Sequence, residues 1–562
     1  MSLFKKNKDK CGTCKKQTNR RLSVLTKLSN RFSKSRFTGN MRQFLSQNRS
    51  LFSIPDGAKN ANAPVILTEV NAFASGYIAY SYLSNVLAKK HQARIVGYIG
   101  RELKPFTWIK THLRQILNAY PYNIYRSFGT REFIYIRPNK TRADEVDKVC
   151  HTILNTMKTK RDIEHITVNN ILIGDLIYDS YLRDFRLPTI DINSENFAKY
   201  VRSAVDTFFY WEDYFHQYDV RAVLITHSVY IGAILSRLSI QKDIPVYETH
   251  IQFCYYLNKE HPLPYKEHLL FPKEFSKLSA EVKSSALQEA ETRLQKRFSG
   301  EKDIDMVWVS SSAYGKDLYK DTRIIRESNR PKVLIFAHCF FDAPHFWGEN
   351  IFPDFYEWLV FLGEMSEKTD YDWYIKTHPD ELPGSVNVIN DWLRRYPKMT
   401  LIPSNSSHHQ VISEGINAVL TIYGTVGFEY AALGVPVINC SNNNPHIKYD
   451  FNLHPKNVEE YTRAILDLEH IDLDIDIDKV REYYYMKNIY YGNHNLFLDY
   501  QKTLAKLGGY HGQFTPRIYE HWNNKLSMTK HNLLMSALEE FVDSGTYNTC
   551  GPPGAFPNHG KS

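Results

Sequence analysis

Short apolar runs alternate with helical stretches, and the pattern occurs twice. This predicts an α/β protein of two Rossmann-like, doubly wound domains facing across a cleft. Length agrees, since 562 residues exceed what one core can hold. A charged helical segment separates the two alternations. The predicted layout is a disordered or amphipathic basic tail over 1–60, an α/β domain over 61–258 and a helical bridge over 259–330. A second α/β domain follows over 331–510, then a helix over 511–542 and a disordered tail over 543–562.

Residues 1–50 hold 14 Lys and Arg against one Asp, a net of +13 in a chain of net +9, which leaves the remainder at −4. Leu22, Val24, Leu25, Leu28 and Phe32 recur at rough helical spacing among basic residues, as in a helix lying on an anionic membrane surface. The alternative is a solvated tail. No RNA-binding motif with interleaved aromatics occurs there, which weighs against nucleic acid. Seven dispersed cysteines do not form a disulfide framework, and the pair Cys11 and Cys14 lacks the second pair a zinc site needs. No apolar run approaches the roughly 20 residues of a membrane span, and no signal peptide is visible. The expected location is cytoplasmic, with possible attachment at the inner face of the membrane through residues 1–50.

In the first half, 64–70 reads as a buried strand. A loop ending in Ala74-Ser75-Gly76 leads to a helix with Tyr77, Ile78, Tyr80, Leu83 and Val86, then a strand at 94–99, the size of a right-handed βαβ unit. Stretches 116–135 and 140–160 read as mostly helical, 170–179 as apolar and then polar, and 197–215 as helical. A strong strand at 221–227, a helix near 231–238 and a strand at 244–248 complete this half. The second alternation runs through a strand at 332–338, a helix at 355–365 and strands at 373–376, 399–402, 418–422 and 435–439. A helix over 458–468 and a Tyr-rich segment over 483–491 follow.

Polar motifs sit just past the carboxyl ends of these strands, where open α/β sheets bind ligands. In Lys376-Thr377-His378-Pro379, proline ends the strand and leaves an imidazole able to donate to a phosphate oxygen. In Gly424-Thr425-Val426-Gly427-Phe428-Glu429, glycine allows close backbone approach, Thr425 offers a hydroxyl and a helix begins. Glu429 reads either as a ribose acceptor or as a carboxylate complementing the helix dipole. His338 and Asp342, on the loop after 332–338, read as further contacts to the same ligand; their spacing with His345 fits no common metal site. In the first half, Tyr178, Asp179 and Arg183 combine an aromatic ring, a carboxylate and a guanidinium, a usual way to hold a sugar or an acidic acceptor. Glu248, His227 and Glu69 are the candidates for a general base, unranked.

Taken together, His378-Pro379, the motif 424–429 and Ala432-Leu433-Gly434-Val435-Pro436-Val437-Ile438 resemble bacterial capsule and surface-polysaccharide glycosyltransferases of the GT-B fold. Capsule Kdo transferases, bacterial sialyltransferases and CDP-glycerol transferases share related patterns. The resemblance covers about 330–440. It implies that His378 and Thr425 grip the phosphate of a nucleotide-sugar donor, with Glu429 on the ribose or sugar; Lys376, Gly424, His338 and Asp342, by their place at the strand ends, are the other expected donor contacts. It also implies no cofactor beyond that co-substrate and no metal. Gly424-Thr425 stands where the sialyltransferases carry a Ser-Ser pair. The expected function is sugar transfer to a surface-polysaccharide or glycolipid acceptor. The alternatives are a sugar-nucleotide epimerase or hydrolase of the same fold, or a non-catalytic, basic-tailed membrane or nucleic-acid adaptor.

Overall fold

The computed structural model describes residues 39–100, 105–138, 140–302, 306, 312–315, 322–378, 384–471, 473–492 and 495–550. The predicted tail motif at 22–32, Cys11, Cys14, Pro379 and the 551–562 tail lie outside them.

Two sheets organise the chain. The first contains β1 (Val65–Glu69), β2 (Arg94–Ile99), β3 (Glu132–Tyr135), β6 (Val220–Ile225), β7 (Val246–Thr249) and β8 (Cys254–Leu257). A small antiparallel hairpin, β4 (Thr167–Val168) and β5 (Ile171–Leu172), stands apart from it. The sheet order is β3-β2-β1-β6-β7-β8, parallel except for the β7–β8 pair. The second sheet, with β9 (Lys332–Phe336), β10 (Asp372–Lys376), β11 (Met399–Leu401), β12 (Ala418–Thr421) and β13 (Val437–Asn439), is wholly parallel in the order β11-β10-β9-β12-β13. Both orders run outward from the first strand and then reverse, as in doubly wound folds, so each sheet has a switch point: β1/β6 in one and β9/β12 in the other. The continuous apolar runs 65–67, 222–225, 333–335 and 418–420 follow from helices covering both faces of each sheet.

The helix Gly76–His91 is buried along most of its length, from Gly76 to Ala88. It is apolar around its circumference because the sheet lies on one side and the carboxyl-terminal helix Met528–Ser544 on the other. The Tyr82 hydroxyl meets His531 Nδ1 at 3.0 Å, and Lys89 pairs with Glu539 at 2.8 Å.

Four segments differ from the sequence expectation. The span 116–135 is not mostly helical: after Pro105–Ile116 and Tyr122–Ser127 it ends in β3, whose Phe133 and Tyr135 are buried in alternation with half-buried Glu132 and Ile134, the period of a strand. Residues 39–51 form a helix whose Phe44, Leu45 and Phe52 neighbours join the first core, so the end of the basic segment is folded. The chain from Leu496 onward also returns to that core. Phe497, Tyr500, Leu504, Trp522 and Leu538 pack with Tyr77, Leu83 and Ile66, so residues 496–510 belong with the first body rather than the second. The helix Ala280–Phe298, read as a bridge, packs Ala286, Ala290 and Leu294 against Phe428 and Tyr483 on the flank of the second sheet.

Candidate functional site

At the first switch point, Glu69 ends β1 and Thr226-His227 follow β6. Glu69 Oε2 accepts from the Thr226 amide at 2.7 Å, from the Thr226 hydroxyl and from the Tyr80 hydroxyl at 3.4 Å. This ties the two strand ends together and so positions His227; it leaves Glu69 poorly placed as the base. Burial raises its carboxyl above the ordinary range, with the Thr226 bonds opposing the rise.

Glu248 near the end of β7 is buried. It accepts from the Tyr265 hydroxyl at 3.1 Å through Oε1, while Oε2 has no hydrogen bond. Burial pushes its carboxyl up to about 8, so it holds a proton at neutral pH. His227 is exposed in the cleft, yet the protein packed around it, and then the Arg183 guanidinium, hold its imidazole down to about 4. His250, which the sequence places at the same strand end, is buried with Nε2 2.9 Å from the Thr226 carbonyl oxygen; burial lowers it to about 3. Among the described residues, His227, Glu248 and His250 are the one group of three whose ligating atoms gather within 4.8 Å. Two neutral imidazoles and a carboxyl suit proton transfer, and by donor type they can also hold a divalent ion.

At the second switch point, His338 follows β9. Its Nε2 accepts from the Ile422 amide at 3.2 Å and faces the Thr421 hydroxyl at 3.2 Å, and its ring stacks on Phe355 at 4.9 Å. Burial, and then nearby His378, lower it to about 4. The Thr421 hydroxyl also accepts from the Gly424 amide at 3.2 Å. A side chain on Gly424 would meet that hydroxyl at 2.9 Å, so glycine is needed for the turn to close. His378 and Thr425 are exposed, and the Thr425 hydroxyl makes no capping bond to the helix Val426–Ala432.

Four expected contacts are corrected. Lys376 is buried and donates to the Ser406 carbonyl at 2.9 Å; burial lowers its ammonium to about 8. Glu429 points away from the cleft into a buried pair with Arg297, and also accepts from the Tyr314 hydroxyl at 2.9 Å. Both partners arrive from the segment after residue 290, which no local motif reveals. Tyr178 and Asp179 are not on a strand-end loop: they lie in the helix Gly174–Phe185 and are buried between the two bodies. The Tyr178 hydroxyl donates to Asp354 at 2.5 Å, and Asp179 Oδ1 meets His345 Nδ1 at 2.5 Å. His345 Nε2 meets Glu164 at 2.9 Å. Burial opposes a charge on His345, but the two carboxylates outweigh it and raise its pKa.

Arg183 and Asp342 are exposed and pair with each other from the two bodies. Arg183 Nη1 lies 3.0 Å from Asp342, and the Tyr230 hydroxyl donates to the same oxygen at 2.7 Å. The loop after β9 therefore meets the first body here and at His345. A cavity of about 380 Å³ lined by Arg323, Arg330, Asp372 and Lys398 opens at the opposite edge of the second sheet, away from these strand ends.

The buried setting of Glu429 is testable. Glu429→Gln is expected to cost about 2 kcal/mol of stability in urea unfolding and to leave nucleotide affinity within about twofold. A tenfold loss of affinity would place the carboxylate on the ligand instead.

No protein family and no curated protein matches the chain. Among solved structures, it is similar to a glycosyltransferase from Rickettsia africae (14% identity, 83% of this chain and 100% of that one, TM-score 0.24). It is also similar to KpsC, a beta Kdo 2,4 transferase of Thermosulfurimonas dismutans (14% identity, 47% and 79%, TM-score 0.29). A third is the UDP-GlcNAc 2-epimerase of Neisseria meningitidis bound to UDP-GlcNAc (10% identity, 75% and 97%, TM-score 0.24). The fold assignment rests on the two sheets themselves.

Proposed function

We propose that this protein is a glycosyltransferase that moves a sugar from a nucleotide-activated donor to a surface-polysaccharide or glycolipid acceptor. The observation that carries the reading is the pair of switch points. One wall presents His378 and the uncapped Thr425 hydroxyl, and the other presents a neutral, exposed imidazole at His227.

In a single displacement, His227 takes the proton of the acceptor hydroxyl as its oxygen bonds to the anomeric carbon. The bond from that carbon to the donor phosphate oxygen breaks, and its electron pair stays on the phosphate. His378 and Thr425 donate hydrogen bonds to the charge that develops there. Glu69 holds the β6 end, and with it His227, in register. The Arg183 guanidinium at the cleft mouth lowers the imidazole further, with its partner Asp342 opposing it, and burial keeps the base unprotonated.

Thermal unfolding with CMP, CDP, UDP and GDP in turn tests the donor half of this reading. One nucleotide is expected to raise the midpoint by several degrees, and the rise is expected to be lost in His378→Ala and reduced in Thr425→Val. A wild-type protein indifferent to all four would overturn it.

A further inference from the structure

The helix Pro105–Ile116 turns its aliphatic side outward. At about 100° per residue, Trp108, His112 and Gln115 share one face, and that face meets the fold. The rings of Trp108 and His112 lie 4.0 Å apart, and His112 lies 4.6 Å from the Tyr135 ring. The Arg137 guanidinium sits 5.0 Å over Trp108, and the Tyr135 hydroxyl donates to Gln115 at 2.8 Å. The opposite face stands in solvent: Phe106 is 81% exposed, Ile109 52%, Leu113 53% and Ile116 73%, and Leu117, just past the end, is 74% exposed.

A helix of a water-surrounded domain is expected to bury its aliphatic stripe and expose its polar one. Here the reverse holds, and a contiguous exposed apolar patch marks a contact surface. The charge around it identifies the partner. Lys110 and Arg114 are exposed along one border, and residues 105–131 contain four Lys and Arg and no Asp or Glu. A second copy of the chain would bring basic border against basic border. An anionic lipid surface offers both what the aliphatic face needs and what the border attracts.

We propose that this face docks on an anionic bilayer, with Phe106, Leu113 and Leu117 among the acyl chains and Lys110 and Arg114 at the headgroups. Tyr135 is the last residue of β3, so the helix lies at the carboxyl edge of the first sheet, the edge that also carries Glu69 and His227. Docking there holds the mouth of the cleft close to the lipid. The inference does not depend on the chemistry of the cleft.

The test is co-sedimentation of the full chain with phosphatidylcholine vesicles containing about one-third phosphatidylglycerol, for the wild type and for Phe106→Asp/Leu113→Asp. Both proteins keep the basic residues 1–38, so the difference between them reports the helix. The wild type is expected to bind, and the double variant to bind about tenfold more weakly with an unchanged unfolding midpoint. Equal binding by both proteins would overturn the proposal and assign attachment to another segment. Failure of the wild type to pellet would also overturn it. So would self-association of the wild type without lipid that the double variant abolishes, since a second copy would then cover the patch.

Discussion

His227→Ala is expected to lower turnover by about 100- to 10,000-fold, the usual worth of a positioned general base, and to leave nucleotide affinity within about twofold. The pH dependence identifies the group. A general base acts when deprotonated, and His227 is held down to about 4. With His227 as the base, kcat/KM is flat from neutral pH down to about 5 and falls only as the pH approaches the imidazole value. If Glu248 were the base, activity would already fall as the pH drops below about 8, because its buried carboxyl takes up a proton there. Steady-state kinetics of the wild type across this range, with Glu248→Gln beside it, decides between them. A limb near pH 8 that disappears in Glu248→Gln would remove His227 from the role.

His345→Ala is expected to destabilise the protein by about 3–5 kcal/mol, because it leaves buried carboxylates without their counter-ion. Asp179 and Glu164 are both nearly inaccessible to solvent, and His345 bridges them from the second body to the first. The folded imidazole is raised above its unfolded value. Its stabilisation is therefore fully present below about 6.5 and is lost as the pH rises through the folded value. Burial also raises the carboxyl of its partner Asp179 to about 6, so the gap in unfolding midpoint between wild type and His345→Ala is expected to be widest near neutral pH, to narrow in alkali as the imidazole gives up its proton and to narrow in acid as Asp179 takes one up. A gap that is small or constant across pH would mean that the pair carries no net charge interaction. Tyr178 joins the same interface through Asp354, and Arg161 reaches the carbonyls of Asn350 and Ile351. The loop after β9 is thus a joint between the bodies as well as a wall of the cleft.

Much of the fold is legible in the chain because parallel strands covered on both faces are uniformly apolar. The runs at 65–67, 222–225 and 333–335 could be located without knowing their neighbours. Short β3 escaped notice because its four residues follow two helices and carry no such run. Rules about strand ends singled out His227, His338, His378 and Thr425, and each does lie within a few residues of a strand that was itself recognisable. They misjudged Glu429 and Asp179 for one reason. A carboxylate one turn into a helix has the same local sequence whether it faces a ligand or a buried Arg or His more than 100 residues away.

The order of apolar and polar segments was enough to establish two doubly wound halves and the strand ends at which their chemistry gathers, because hydrophobic periodicity is a local property. Only the tertiary structure decided which polar groups remain open to the cleft. Burial and pairing depend on what folds against each side chain, and those partners come from distant parts of the chain. The strand-end motif at 424–429 keeps Thr425 for the cleft and gives up Glu429 to Arg297. Across the cleft, the same accounting leaves His227 as the open, neutral group, with Glu69 bound to the neighbouring strand and Glu248 holding its proton in the interior.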